Sequence, residues 1–246
     1  MATSKVLDVS HHNTVTSWAT VAKNVDAVII RAGYRGYGSA GTLATDQKFD
    51  SYIKGAIAAG LPVGVYWCSQ ALSDAEAMRE AEFLIDLLAP YKLTYPVYLD
   101  SEHMNGGKGR ADRIGKARRT QYGLTFCRAM RDAGYKVGLY CSESWFTAEI
   151  DGAAFKRDGM GLWIAKYSAN APRGMAYDAW QYTSKGKVSG VNGNVDLSHF
   201  YTDYATKKDA NREKVKARFG LSDATLDYLE AYQYGADLLR KLATAK

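Results

Sequence analysis

The stretch Tyr95-Pro96-Val97-Tyr98-Leu99-Asp100-Ser101-Glu102 is a short apolar run of β character that ends in two carboxylates two positions apart. Side chains alternate across a strand with a period of two, so Asp100 and Glu102 leave the same face, about 7 Å apart along the backbone. If the run is an interior strand of an α/β protein, its carboxyl end opens into the crevice where such folds place ligands. Acids there are costly to desolvate, and their pairing suits acid–base chemistry. A solvated loop just past a strand is the bland alternative, and the triplet alone does not separate the two.

Working outward, the flanking sequence alternates strands and helices. Val6 to Val9, Ala27-Val28-Ile29-Ile30-Arg31 and Pro62-Val63-Gly64-Val65-Tyr66-Trp67 read as strands one to three. A weak helix around Trp18 to Lys23 separates the first two. An amphipathic segment with Phe49, Ile53, Ala56 and Ile57 on one stripe follows, closed by Gly60 at a left-handed C-cap. Ser73 and Glu76 form a capping box that opens a helix with Ala77, Ala81, Leu84, Ile85 and Leu88 facing inward. The opening stretch is then strand four. A helix through Tyr122, Phe126 and Met130 ends at Gly134, Lys136 to Tyr140 makes strand five, and Leu162 to Lys166 strand six. Beyond that the helical signal fails, and Ala179 to Tyr182 and Val195 to Leu197 read as strands joined by glycine-rich turns. Such alternation implies a parallel sheet with right-handed crossovers. About eight strands over about 200 residues predict an α/β fold, an irregular (β/α) TIM-like barrel with degenerate late helices. A doubly wound open sheet is the alternative.

The chain has 246 residues, 47% of them hydrophobic, enough for one large domain with an appendage. Composition changes near Tyr204, where glycine and tryptophan fall away and helix formers dominate. We therefore expect a barrel over residues 1–203 and a two-helix appendage over residues 204–246. One helix is expected from about Tyr204 to Phe219. A second is capped by Ser222 and carries Leu226, Leu229, Tyr232, Ala236, Leu239 and Leu242 on its apolar side. That stripe must pack on something, by docking on the barrel or by self-association through residues 205–246. Residues 205–246 hold nine Lys or Arg against six Asp or Glu, half of the net charge of +6. A basic chain of pI about 9.0 suits an anionic partner such as nucleic acid, a membrane surface or an acidic wall polymer. Arg218 to Ser222 resembles a helix-turn-helix turn, but no basic recognition helix follows, so nucleic-acid binding is disfavoured. No run of about 18 apolar residues argues for integral membrane association. Met1 to Lys5 leads straight into a strand, so no signal peptide is expected. Cys68, Cys127 and Cys141 are odd in number and lack metal spacing, and are expected to be buried and reduced.

In a barrel, residues just past each strand meet at one mouth. Asp8 ends strand one, Asp100 and Glu102 end strand four, and Asp196 lies in strand eight, beside strand one in a closed barrel. Tyr34, Tyr66, Trp67, Tyr140, Trp145, Tyr167, Trp180 and Tyr182 gather at similar positions. Their flat faces and polar edges suit sugar rings as well as packing. Competing motifs are weaker. Gly33, Gly36 and Gly38 lack the order of a dinucleotide fingerprint and read as a loop over the cleft. Gly106 to Gly109 lacks P-loop spacing. His11 and His12 point apart in an extended segment, and His103 and His199 have no second ligand, so no metal or cofactor is implied. No serine lies in a nucleophile elbow.

These blocks, together with Asp8-Val9-Ser10, Val28 to Tyr34, Val63 to Tyr66, Gly138-Leu139-Tyr140, Leu162 to Ala165, Trp180 to Ser184 and Gly193 to Leu197, resemble glycoside hydrolase family 25, the Chalaropsis-type lysozymes. The resemblance runs in order from Lys5 to about Phe200. It implies an irregular β/α barrel and a lysozyme, or muramidase, that cleaves the β-1,4 bond between N-acetylmuramic acid and N-acetylglucosamine in peptidoglycan. It also implies Glu102 as general acid, with Asp100, Asp8 and Asp196 as the other acids. Arg31, Tyr34, Tyr66, Trp67, Tyr140, Tyr167 and Trp180 are expected to bind substrate. Many members are phage endolysins, which fits a protein held in the host cytoplasm before release to the wall. Ser101 stands where the family usually has an apolar residue and is expected to point away from the cleft. Two other readings compete with this one. A non-catalytic peptidoglycan-binding barrel should have lost the acids, and a wall-peptide hydrolase should show a metal or Cys–His site.

Overall fold

A computed structural model describes residues 3–104, 106–202, 204, 210–230, 232 and 235–244. The chain divides into two compact units, Met1–Thr202 and Asp203–Lys246. The first unit begins β1 (Ser4–Val9), β2 (Thr14–Val15), α1 (Trp18–Val21), β3 (Ala27–Arg35), β4 (Leu43–Thr45), α2 (Phe49–Ala58), β5 (Val63–Cys68), α3 (Asp74–Leu88) and β6 (Val97–Asp100). It continues α4 (Lys116–Asp132), β7 (Val137–Ser142), α5 (Trp145–Ala148), α6 (Gly152–Arg157), β8 (Gly161–Ala165), β9 (Ala179–Gly186), β10 (Val191–Asn192) and β11 (Val195–Phe200).

Eight strands close into a barrel in the order β1, β3, β5, β6, β7, β8, β9, β11 and back to β1. From β1 through β9 the contacts are parallel. The last strand departs from the all-parallel expectation, since β11 runs antiparallel to both β9 and β1. Residues 187–194 are too few for the crossover of a dozen or more residues that a parallel return needs, so the chain turns back as a hairpin. A second departure concerns Gly33 and Tyr34. They belong to β3, which extends to Arg35 and pairs with β4, and do not form a loop.

Alternation sorts the side chains into two layers. Leu7, Val9, Val28, Ile30, Val65, Trp67, Leu99, Leu139, Leu162 and Ile164 face outward and pack with Ile53, Ala81, Leu84, Phe126 and Phe155 of the helices. The barrel interior holds rings, with Tyr98 5.2 Å from Trp163 and Trp163 5.9 Å from Phe200 between centroids. Gly138 makes room for them, because a Cβ there would sit 2.4 Å from the Tyr98 ring. On α2 the buried stripe is Phe49, Tyr52, Ile53 and Ala56, whereas Ile57 is 42% exposed, one position past the core-facing arc. The cap of α3 is half the expected box. Ser73 Oγ accepts from the Glu76 amide, but Glu76 Oε2 accepts from the Leu72 amide and pairs with Arg110.

The second unit contains α7 (Ala210–Phe219), α8 (Asp223–Glu230) and α9 (Gly235–Thr244). Its core is Val215, Leu226 and Leu239. The expected first helix begins at Ala210 as described, and residues 205–209, like the side chain of Ala236, lie outside the described residues. The single second helix is corrected to two. Gly235 lies so close to the Leu229 carbonyl that a Cβ would approach it to 2.3 Å, and turns at Tyr232 and Gly235 separate α8 from α9. Among the described residues no helix is long and apolar enough to cross a membrane.

Candidate active site

At the carboxyl ends of the parallel strands a cavity of about 400 Å³ is lined by Asp8, Tyr66, Asp100, Glu102, Tyr140, Trp163, Tyr167, Gln181 and Asp196. Strand direction explains how Asp196 arrives there. It is the second residue of β11, and only because that strand runs downward does its beginning lie at the mouth, opposite Asp8 in register. The ladder from β11 to β9 shifts on both sides of Leu197, an irregularity of the sort that re-aims side chains near sites.

The acids differ in their surroundings. Asp8 and Asp100 are buried, and Glu102 is exposed at the mouth. Burial, then the charge of Asp196, holds the Asp8 carboxyl well above the usual range, and Asp8 hydrogen-bonds Asp196. Two carboxyls in that contact share a proton, because both cannot be ionised side by side at low cost. Burial also raises Asp196. Asp100 is pushed well up by burial first and by Glu102 second, against the lowering effects of Cys68 and Arg31. Glu102 is raised by loss of water to the surrounding walls and by Asp196, with Arg31 and His103 opposing. These groups titrate as one set.

Gln181 ties the set together. Its Nε2 donates to Asp8 Oδ2 at 3.0 Å, and its Oε1 accepts from Tyr140 at 2.8 Å and Tyr167 at 2.9 Å. Asp100 Oδ2 accepts from Cys68 Sγ at 3.0 Å, while Asp100 Oδ1 is buried with no partner among the described residues. Among the described residues no His, Cys, Asp or Glu group is arranged to hold a metal ion.

Of the expected substrate-binding residues, Tyr66, Tyr140 and Tyr167 line this cavity with the acids. Arg31 and Tyr34 lie instead on a second hollow of about 770 Å³, with His11, His12, Tyr37, Cys68 and Met104. Arg31 is held there by Asp46 Oδ2 at 2.7 Å and by the His11 ring. Trp67 and Trp180 are corrections. Trp67 is fully buried in the outer layer against Phe83 of α3, because Tyr66 takes the inward position and its neighbour must face out. Trp180 faces out for the same reason, donating to the Lys166 carbonyl and touching Tyr182 and His199. Gln181 and Trp163 are the cavity residues that sequence reasoning missed. Parity carried the signal, since Gln181 is the middle of Trp180-Gln181-Tyr182. Ser101 faces the α4 side beside Leu99, Arg119 and Tyr122, away from the cleft.

The sequence profile of Glycosyl hydrolases family 25 matches residues 7–191, about three quarters of the chain. The chain belongs to glycosyl hydrolases family 25. Two relatives fit that placement. The autolytic lysozyme of Clostridium acetobutylicum is 25% identical over 183 residues, covering 74% of this chain and 51% of that protein. Lysozyme M1 of Streptomyces globisporus is 25% identical over 205 residues, covering 79% and 66%. The modular autolysin LytC of Streptococcus pneumoniae superimposes with a TM-score of 0.70 at 28% identity, over 81% of this family 25 chain and 47% of that one. The chain thus spans between about half and two thirds of the length of these relatives.

Proposed function

We propose that this family 25 chain is a peptidoglycan muramidase, hydrolysing the β-1,4 bond between N-acetylmuramic acid and N-acetylglucosamine. The observation that supports it best is the convergence of Asp8, Asp100, Glu102 and Asp196 on one polar, aromatic-rimmed cavity. Glycoside cleavage needs one carboxyl held neutral to protonate the leaving oxygen and another that supports positive charge at the anomeric carbon. Glu102 takes the first role, being raised in pKa yet exposed at the mouth where a glycosidic oxygen can reach it. Asp100 takes the second. Its buried Oδ1, with no partner among the described residues, is an acceptor for which the N–H of a 2-acetamido group would supply a donor. That bond favours the ionised carboxylate and turns the amide oxygen toward the anomeric carbon. Tyr66, Tyr140 and Tyr167 border the sugar site, and Gln181 fixes Asp8 and two of those hydroxyls.

A folded Glu102→Gln protein should release reducing ends from purified wall at least about 100-fold more slowly than the wild type, the scale of a lost general acid. Wild-type digestion should yield reducing ends without new free amines. Amines alone would refute the glycosidase reading, and a fully active Glu102→Gln protein would remove Glu102 as the acid.

A further inference from the structure

Cys68 is the one cysteine outside the apolar layer between barrel and helices. Cys127 and Cys141 lie within that layer, where the Cys127 thiol donates to the Gly138 carbonyl at 3.8 Å. Cys68 is instead the last residue of β5, placed by strand register directly beside Asp100. Both side chains are almost wholly buried, at 4% and 2% exposure. The Sγ to Oδ2 contact of 3.0 Å is the only hydrogen bond to the Asp100 carboxyl among the described residues.

A carboxyl group turns easily about its last torsion, which is broad and roughly two-fold. An aspartate with no donor would have no preferred oxygen for its substrate. We propose that Cys68 is a positioning residue, whose thiol proton engages Oδ2 of Asp100 and so presents Oδ1 to the substrate amide N–H. The inference rests on the reading of Asp100 given above.

The chemistry of the thiol suits the task. A lysine or arginine here would form a full ion pair and compete with the substrate for both oxygens, whereas S–H is a neutral, weak, single donor. Burial and the neighbouring Asp100 charge both hold the thiol in its protonated form. A buried protonated thiol is a donor and not a nucleophile, so no covalent step passes through sulfur.

The test compares Cys68→Val, which fills the site with an apolar side chain and loses the donor, with Cys68→Ser, which keeps a donor, on a soluble glycan substrate. Cys68→Val should lose about tenfold in kcat, the weight of a hydrogen bond to a charged group, with KM changed less than about twofold. Removing the donor disfavours ionised Asp100, so the acid limb of the pH–rate profile should move up by about half a unit. Cys68→Ser should restore most of the rate and return the limb. In an Asp100→Asn background, Cys68→Val should cost nothing further. Should Cys68→Val not fold, Cys68→Ala is the second donor-free variant. Wild-type kcat and an unmoved limb in a folded donor-free variant would overturn the proposal, as would additive losses with Asp100→Asn. An inactive Asp100→Asn beside an unaffected Cys68→Val overturns only the role of Cys68. A fully active Asp100→Asn overturns the reading of Asp100 and the proposal together.

Discussion

Asp46 and Asp100 are both buried aspartates, and their surroundings pull them in opposite directions. Burial acts to raise Asp46, but the Lys48 amide, then His11 and Arg31, outweigh it and hold that carboxyl below its ordinary value. Asp100 has the Cys68 thiol and the charge of Arg31 to set against burial and a neighbouring acid, and its value rises. As a set, folded Asp8, Asp100, Glu102 and Asp196 hold protons to higher pH than an unfolded chain, with carboxyl pKa values near about 4, would. The native state then binds more protons than the unfolded state, and stability falls as pH climbs through the raised folded values. Asp46 has the opposite sign, since its contribution is present above the unfolded value and fades as pH drops through the lowered one. Asp100→Asn should therefore raise Tm at neutral pH by about 2–4 °C, roughly 1 kcal/mol, while slowing catalysis. The gain should shrink toward pH 4 in melts taken across the weakly acidic range, and a lowered Tm at every pH would contradict it. The acids were legible in the sequence because carboxylates at the ends of apolar runs stand out against hydrophobic neighbours. Trp67 and Trp180 were misplaced because an aromatic is equally at home in a cleft or a core. Gln181 escaped because a neutral amide carries no such contrast.

Among the elements, β3 shows how local chemistry fixes a junction. Its ladder with β5 slips between Arg31 and Gly33, and Gly33 then lies where a Cβ would meet the Ala44 carbonyl at 2.3 Å and the Trp67 ring at 2.6 Å. Neither neighbour can yield, one being backbone of β4 and the other a fully buried ring. Gly33→Ala should cost about 1–3 kcal/mol, the usual price of overpacking, and lower the urea midpoint without changing the slope. An unchanged midpoint would mean that β4 moves freely. Glycine at this position marks close packing of backbone and ring, which the loop reading of Gly33, Gly36 and Gly38 did not foresee. Regular helices α2, α3 and α4 and the strands they connect were readable from periodicity. The direction of β11 was not, because a strand's apolar alternation is the same in both directions and only the brevity of residues 187–194 betrays the hairpin.

At the scale of the molecule, the smaller unit has its own core of Val215, Leu226 and Leu239 and exposes Phe219, Tyr228 and Tyr232. Its composition announced a separate helical segment, but the break between α8 and α9 depends on a close backbone approach at Gly235 that no periodicity records. A chain ending at Thr202 should keep the cleavage of soluble glycan fragments while losing wall binding, self-association or thermal stability. Wall pull-down, sedimentation and melting check this, and no change in any of the three would leave the smaller unit without the expected role.

The pairing of Ser4 with Phe200 has a consequence for how such a barrel is combined with other parts. Because β11 runs antiparallel beside β1, the start and finish of the catalytic unit emerge side by side on the floor, with the mouth at the far end. The unit is thus a cartridge with both leads on one side. A partner domain can be spliced to either end, or the ends joined and the chain reopened at a surface loop, without threading anything across the cavity.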